Sequence, residues 1–194
     1  MRQPLLAILL ALGISGCAGV GIPATDDPAA KLREARYLYS EAGRPARAKA
    51  LIQEAMDASS QAGDSTGIAM AHREYAYFLS TPGTEAIVSD GPAPADTPVA
   101  PERLRRALAE MQEASRLLGQ TDHYDLLSNT SVGEARIAQA LGDRAGACAA
   151  LTRSLAASAR QDAAVPGRQP LLPPGVASFA ELIAKLRRDY GCPP

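Results

Sequence analysis

Apolar residues in this chain recur three or four positions apart through most of its length. That spacing places side chains on one face of an α-helix. Leu32, Ala35, Tyr39 and Ala42 predict a helix over 28–42, and Ala48, Leu51, Ile52, Ala55 and Met56 a second over 45–62. Ile68, Ala71, Tyr75 and Leu79 predict a third over 65–79, and Leu104, Ala107, Leu108, Met111 and Ala114 a fourth over 101–118. A fifth is expected over 122–141, capped by Asp122, with a break near Thr130 where Ser128-Asn129-Thr130-Ser131 lowers helix propensity. A sixth starts at Asp143 and reaches about 160, and a last one, over 178–190, buries Phe179, Leu182, Ile183 and Leu186.

The residues between these runs punctuate them. Asp27 followed by Pro28 suits a helix start, since a carboxylate caps free N–H groups and proline is tolerated at the first helical position. Gly43 and Gly63 can take the positive φ that ends a helix, Pro45 opens the second, and Asp64 can cap the third. Ser178-Phe179-Ala180-Glu181 has the capping-box form. Helices joined by turns this short pack antiparallel on each other. Two stretches break the rhythm. The segment 81–100 holds Pro82, Pro92, Pro94 and Pro98 beside Pro101. Its composition favours disorder over the other reading, a partner-binding arm. The segment 161–177 is a second Pro-rich link, in which Leu171 and Leu172 are expected to staple it to the body.

The helices also repeat. Leu32, Ala35 and Tyr39 return as Ile68, Ala71 and Tyr75, a shift of 36 residues. A small–large–small triplet reads Ala48-Ile52-Ala55, then Ala107-Met111-Ala114, then Ala147-Leu151-Ser154. This resembles the tetratricopeptide repeat, a helix–turn–helix unit of 34 residues. The departures are Arg36 and His72 at positions where that family has a small residue, and Ala138 where it has an aromatic one. The other reading is a generic helical bundle, because Ala-rich helices readily produce such spacing. The expected fold class is all-α: antiparallel helix pairs over 28–160, stacked as a short tetratricopeptide-like solenoid, with a capping helix and tail over 178–194.

Ahead of the first helix, Leu5 to Ile14 is an apolar run about half as long as a bilayer span requires, preceded by Arg2. The residues after it, Ser15-Gly16-Cys17, complete Ile14-Ser15-Gly16-Cys17, which resembles the lipobox of bacterial lipoproteins. The resemblance implies a signal peptide over 1–16, a lipidated N-terminal Cys17, and a flexible tether over 17–27. Several acyl chains on one residue exceed what stable anchoring needs. Ala18 in the next position points, in that family, to the outer membrane facing the periplasm.

Composition narrows the chemistry. Without the signal segment the chain carries 19 basic and 21 acidic residues, so a nucleic-acid partner is not expected. An exported chain permits disulfides. Cys148 and Cys192 would join the sixth helix to the tail if the last helix folds back, closing some 44 residues. Such a loop is worth roughly 3–4 kcal/mol in the chain-entropy treatment. The alternative is two unlinked thiols. His72 and His123 stand in no metal-binding spacing, and neither a phosphate loop nor a nucleophile elbow is present. No cofactor, metal or enzymatic activity is expected. The expected function is that of a protein-binding scaffold in the envelope, in an outer-membrane assembly or secretion complex. Partners would lie in the groove lined by the first helix of each unit, where the resembled family binds peptides. Arg33, Arg36, His72 and Arg73 are its expected solvent-facing residues. The other functional readings are a cell-wall enzyme or its regulator, and a passive structural lipoprotein.

Overall fold

The computed structural model describes residues 25–84 and 99–193. Cys17, the signal segment and most of the tether lie outside the described residues, as does 85–98 of the Pro-rich insertion. The described residues form seven helices and no strand: α1 Pro28–Ser40, α2 Pro45–Gln61, α3 Ser65–Ser80, α4 Pro101–Leu118, α5 Tyr124–Ala140, α6 Arg144–Ala164 and α7 Phe179–Asp189. The chain is all-α, and its helices are arranged as repeats.

Local chemistry sets most of the helix ends. Asp27 accepts from the Ala29 N–H ahead of Pro28, Asp64 from the Thr66 N–H, and Asp143 from the Gly146 N–H. Gly43, at φ +60°, follows α1 closely and turns the chain into α2. Three ends differ from expectation. The α1 helix stops at Ser40, short of Ala42, and α6 continues to Ala164, past the expected end at 160. Asp122 does not cap α5: His123 holds the N-cap position without a side-chain bond, and Thr121 accepts from its N–H instead.

The pairs α1–α2, α3–α4 and α5–α6 pack along their lengths, and α2–α3 and α4–α5 join one pair to the next. The first helices of the pairs also touch in succession, α1 to α3 and α3 to α5. This places α3 at the centre, against four neighbours. An amphipathic stripe drawn for one neighbour underestimates its burial, and Ala76 and Phe78 join Ala71 and Leu79 in the core. Leu38 on α1 is buried for the same reason, beside the expected Leu32 and Ala35.

The expected break near Thr130 is absent, and α5 is continuous. Three residues of the polar run, Ser128, Thr130 and Ser131, are buried while Asn129 is exposed, and Ser128 meets α6, its Oγ donating to the Ser154 carbonyl at 3.0 Å and Ser154 Oγ to the Ser128 carbonyl at 2.9 Å. Small hydroxyl residues let the two helices approach closely, and that packing outweighs their weak propensity.

The α7 helix rests on α6. Ile183 is fully buried among Val132, Ala135, Ala150 and Leu151. Ser178 accepts from the Glu181 N–H, and the Glu181 carboxylate reaches back to the Ala177 N–H rather than to that of Ser178. A disulfide joins Cys148 to Cys192, with Cα atoms 5.5 Å apart, and fixes the end of α7 to the start of α6. Leu171 does not staple the link: it is fully exposed, and only Leu172 turns partly inward.

Candidate functional site

Because α1, α3 and α5 stand side by side, their outward faces form one continuous surface. On α1 it presents Arg33 and Arg36 together with Tyr37, which is 55 % exposed. On α3 the positions three and four apart are Met70, Arg73, Tyr77 and Ser80. On α5 the outward residues are Asp125, Asn129, Arg136 and Ala140. Two hollows lie between these rows. One, of about 270 Å³, is bounded by Arg33, Arg36, Met70 and Arg73 over Leu32. The other, of about 280 Å³, is bounded by Tyr77, Ser80, Gly133 and Arg136.

Glu74 organises the first hollow. Its carboxylate, 3 % exposed, accepts from Arg36 Nε at 3.1 Å and from Arg36 Nη2, and Tyr39 donates to it at 2.7 Å. The Arg36 guanidinium therefore bridges α1 to α3 and also lies 5.8 Å from the centre of the Tyr77 ring. The bond to Glu74 holds Arg36 more firmly protonated than a free guanidinium. Burial, reinforced by the Glu74 charge, pushes the Tyr39 phenol upward. With Glu74 buried and the Arg36 side chain half exposed, this two-point fork is the stronger geometry for a charge pair.

Arg73 is in the opposite situation. Burial disfavours its charge, the Arg36 charge adds to that effect, and the attraction of Glu74 and Asp125 does not offset them. Its Nε is buried with no hydrogen-bond partner. Arg33, 73 % exposed at the side chain, stands 3.9 Å from Asp27, too loose for a firm pair.

The structure thus brings Arg33, Arg36 and Arg73 to one hollow. It does not bring His72 there. The His72 Nδ1 lies 2.6 Å from the Glu110 carboxylate on α4, so that side chain ties the third helix to its partner and is mostly covered. Arg73 is likewise half-buried rather than solvent-facing. Glu74, Tyr77, Gly133 and Arg136 complete the surface and were not singled out from the sequence. A helical reading of the outward stripe on α3 and α5 would have found Tyr77 and Arg136. The role of Gly133 needs the fold: a Cβ there would lie 2.8 Å from the Tyr77 hydroxyl, so glycine leaves room for that ring.

A larger cleft, of about 690 Å³, lies between α6, the Pro-rich link and α7, with Leu155, Val165 and Phe179 among its walls. Arg168 lines it, bonded through Nη2 to Asp162 at 3.2 Å, while its Nε is buried without a hydrogen-bond partner. The Cys148–Cys192 disulfide sits at the same end of the stack, on α6 and beyond α7. Among the described residues no group of three His, Cys, Asp or Glu side chains could hold a metal ion, and no helix is long and apolar enough to cross a membrane. No protein-family model, curated protein or solved structure matches the chain.

Proposed function

We propose that this protein is a lipid-anchored adaptor of the bacterial envelope, which holds a segment of another protein in the groove across α1, α3 and α5. The observation that supports this most strongly is the Arg73 guanidinium, half-buried in an open hollow with its Nε unpaired. A half-buried guanidinium with an unpaired N–H costs stability, and such a cost is retained most readily where a ligand supplies the missing acceptor. The Ile14-Ser15-Gly16-Cys17 sequence supports the anchor, and a disulfide in the fold agrees with an oxidising, extracytoplasmic compartment. Outer-membrane attachment facing the periplasm follows from Ala18 within the lipoprotein resemblance.

The test is site-specific photocrosslinking in intact cells. A photoreactive residue replaces Tyr77 in the groove or, as control, Lys49 on the exposed face of α2. One protein recurring from the Tyr77 site and absent from the Lys49 site is expected. Equal capture from both sites, or none from either in well-expressed protein, removes the groove reading. Mass spectrometry of the extracted chain checks the anchor, which an unmodified Cys17 would refute.

A further inference from the structure

We infer that the cleft between α6, the Pro-rich link and α7 binds a single-chain acyl ester with an uncharged, hydroxyl-bearing head. The first argument is exposed apolar surface. Among the described residues four large hydrophobic side chains are exposed: Tyr37, Leu155, Val165 and Leu171. Leu155 and Val165 line the cleft, and Leu171 borders a second hollow, of about 340 Å³. The two hollows are neighbours, with Arg168, Pro170 and Phe179 as shared walls. Scattered exposed hydrophobics need no explanation, but three gathered at one concave place mark a binding surface. The cleft volume of about 690 Å³ falls within the roughly 300–1,000 Å³ of pockets that enclose small organic ligands.

The second argument is polarity. Arg168 stands where the hollows meet, its side chain 26 % exposed. It gives Nη2 to Asp162 and leaves Nε unpaired, so most of its N–H groups have no acceptor among the described residues. What is missing is an acceptor, not an anion. Asp162 already answers the Arg168 charge, and Asp125 brings a second carboxylate to the smaller hollow. One cation against two carboxylates disfavours a negative ligand. A carbonyl oxygen accepts without charge. The hollows then divide the ligand between them. Leu155, Val165, Leu172 and Phe179 wall the larger one and suit an alkyl chain. Asp125 and Asn129 border the smaller one and can hydrogen-bond hydroxyl groups. An acyl ester of a polyol places its chain in the first, its carbonyl at Arg168 and its hydroxyls in the second. The inference is independent of the groove reading.

The experiment uses the full chain in phosphatidylcholine nanodiscs and a decanoyl glycerol ester carrying a diazirine on its chain. Peptide mapping after irradiation locates the adduct. Labelling within 155–180 is expected, displaced by unlabelled monodecanoylglycerol. At matched free concentrations the octanoyl ester should displace it about tenfold less well, for two methylenes fewer to bury. Decanoate should also be about tenfold weaker, through its charge, and the decyl ether of glycerol about fivefold weaker, for want of the carbonyl. Leu155→Glu, at an exposed position, should abolish labelling. Arg168→Met should keep the label but lose the preference for ester over ether, which a merely structural arginine would not set. Labelling spread along the stack without preference for 155–180, equal displacement by decanoate, or an ester preference unchanged in Arg168→Met overturns the inference. So does a photoreactive residue at Val165 that captures a protein in cells while the ester leaves 155–180 unlabelled, which assigns the cleft to a protein partner. The Tyr77 crosslinking decides the groove reading separately from all of these.

Discussion

Replacing Arg73 by methionine should stabilise the protein while weakening its binding. The side chain sits between α1 and α3, with burial opposing its charge and its Nε lacking an acceptor. An unmatched buried donor costs about 1–3 kcal/mol. The outer guanidinium stays partly hydrated, and its attraction to Glu74 and Asp125 is lost in the variant, so the lower end applies. Methionine has a similar reach and adapts to irregular gaps, so little packing is sacrificed. A net gain of about 1 kcal/mol corresponds to about 2–4 °C in the melting temperature of a chain this size. Because a guanidinium stays charged at any accessible pH, the gain should not vary with pH above the carboxylate range, where Glu74 and Asp125 keep their charge. Thermal unfolding followed by helical circular dichroism measures it, with Arg33→Met as a control at an exposed position that should change little. A loss of about 1 kcal/mol or more for Arg73→Met would show that the guanidinium holds the fold together, and the argument from its unpaired state would fail.

Glu74→Gln should cost about 2–3 kcal/mol in urea unfolding, because it weakens the fork to Arg36 that joins α1 to α3; an unchanged midpoint would mean that the pair adds nothing. Reducing the Cys148–Cys192 bond should release α7 first, removing up to about 4 kcal/mol of loop-closure stabilisation. Hydrogen exchange by mass spectrometry should then show fast amides in Phe179–Asp189 with α1 to α4 unaffected, whereas equal protection before and after reduction would contradict this. The Lys31 hydrogen bond and charge, with Arg47 adding, hold the Glu54 carboxyl below its ordinary value of 4.5. That pairing therefore contributes above the ordinary carboxylate range and is lost as pH falls through the depressed value. Lys31→Ala should flatten the acid limb of the stability profile, and an identical limb would exclude the pair from acid unfolding.

The helices were legible because their apolar periodicity and punctuation agree. Asp27-Pro28, Asp64 and Ser178 announce starts that the structure adopts, and α4 has the bounds its pattern predicts. The disulfide was legible because two cysteines remain at the end of a helical stack that could fold back. What misled was chemistry judged one helix at a time. Ser128 to Ser131 reads as a weak segment until α6 supplies the facing Ser154. His72 reads as a groove residue because it neighbours Arg73, but one step along a helix turns the side chain by 100°, here toward Glu110. Tyr77 and Arg136 lie on outward helical stripes that periodicity alone could have marked, but only the packing order shows that α3 and α5 are neighbours on the outer face.

The two departures from the repeat pattern have distinct consequences for the groove. Where a small residue would let α1 and α3 close on each other, Arg36 keeps a polar bridge, and Glu74 answers it 38 positions later. His72, at the equivalent position of the next unit, is answered by Glu110, also 38 positions later, but on the partner helix. The same offset therefore yields a bridge between successive first helices in one case and a bond within a pair in the other. Only the first places a charged fork at the groove surface, beside the unpaired Arg73. The asymmetry makes the α1–α3 half of the groove the more cationic and the α3–α5 half, opened by Gly133 beneath Tyr77, the more aromatic.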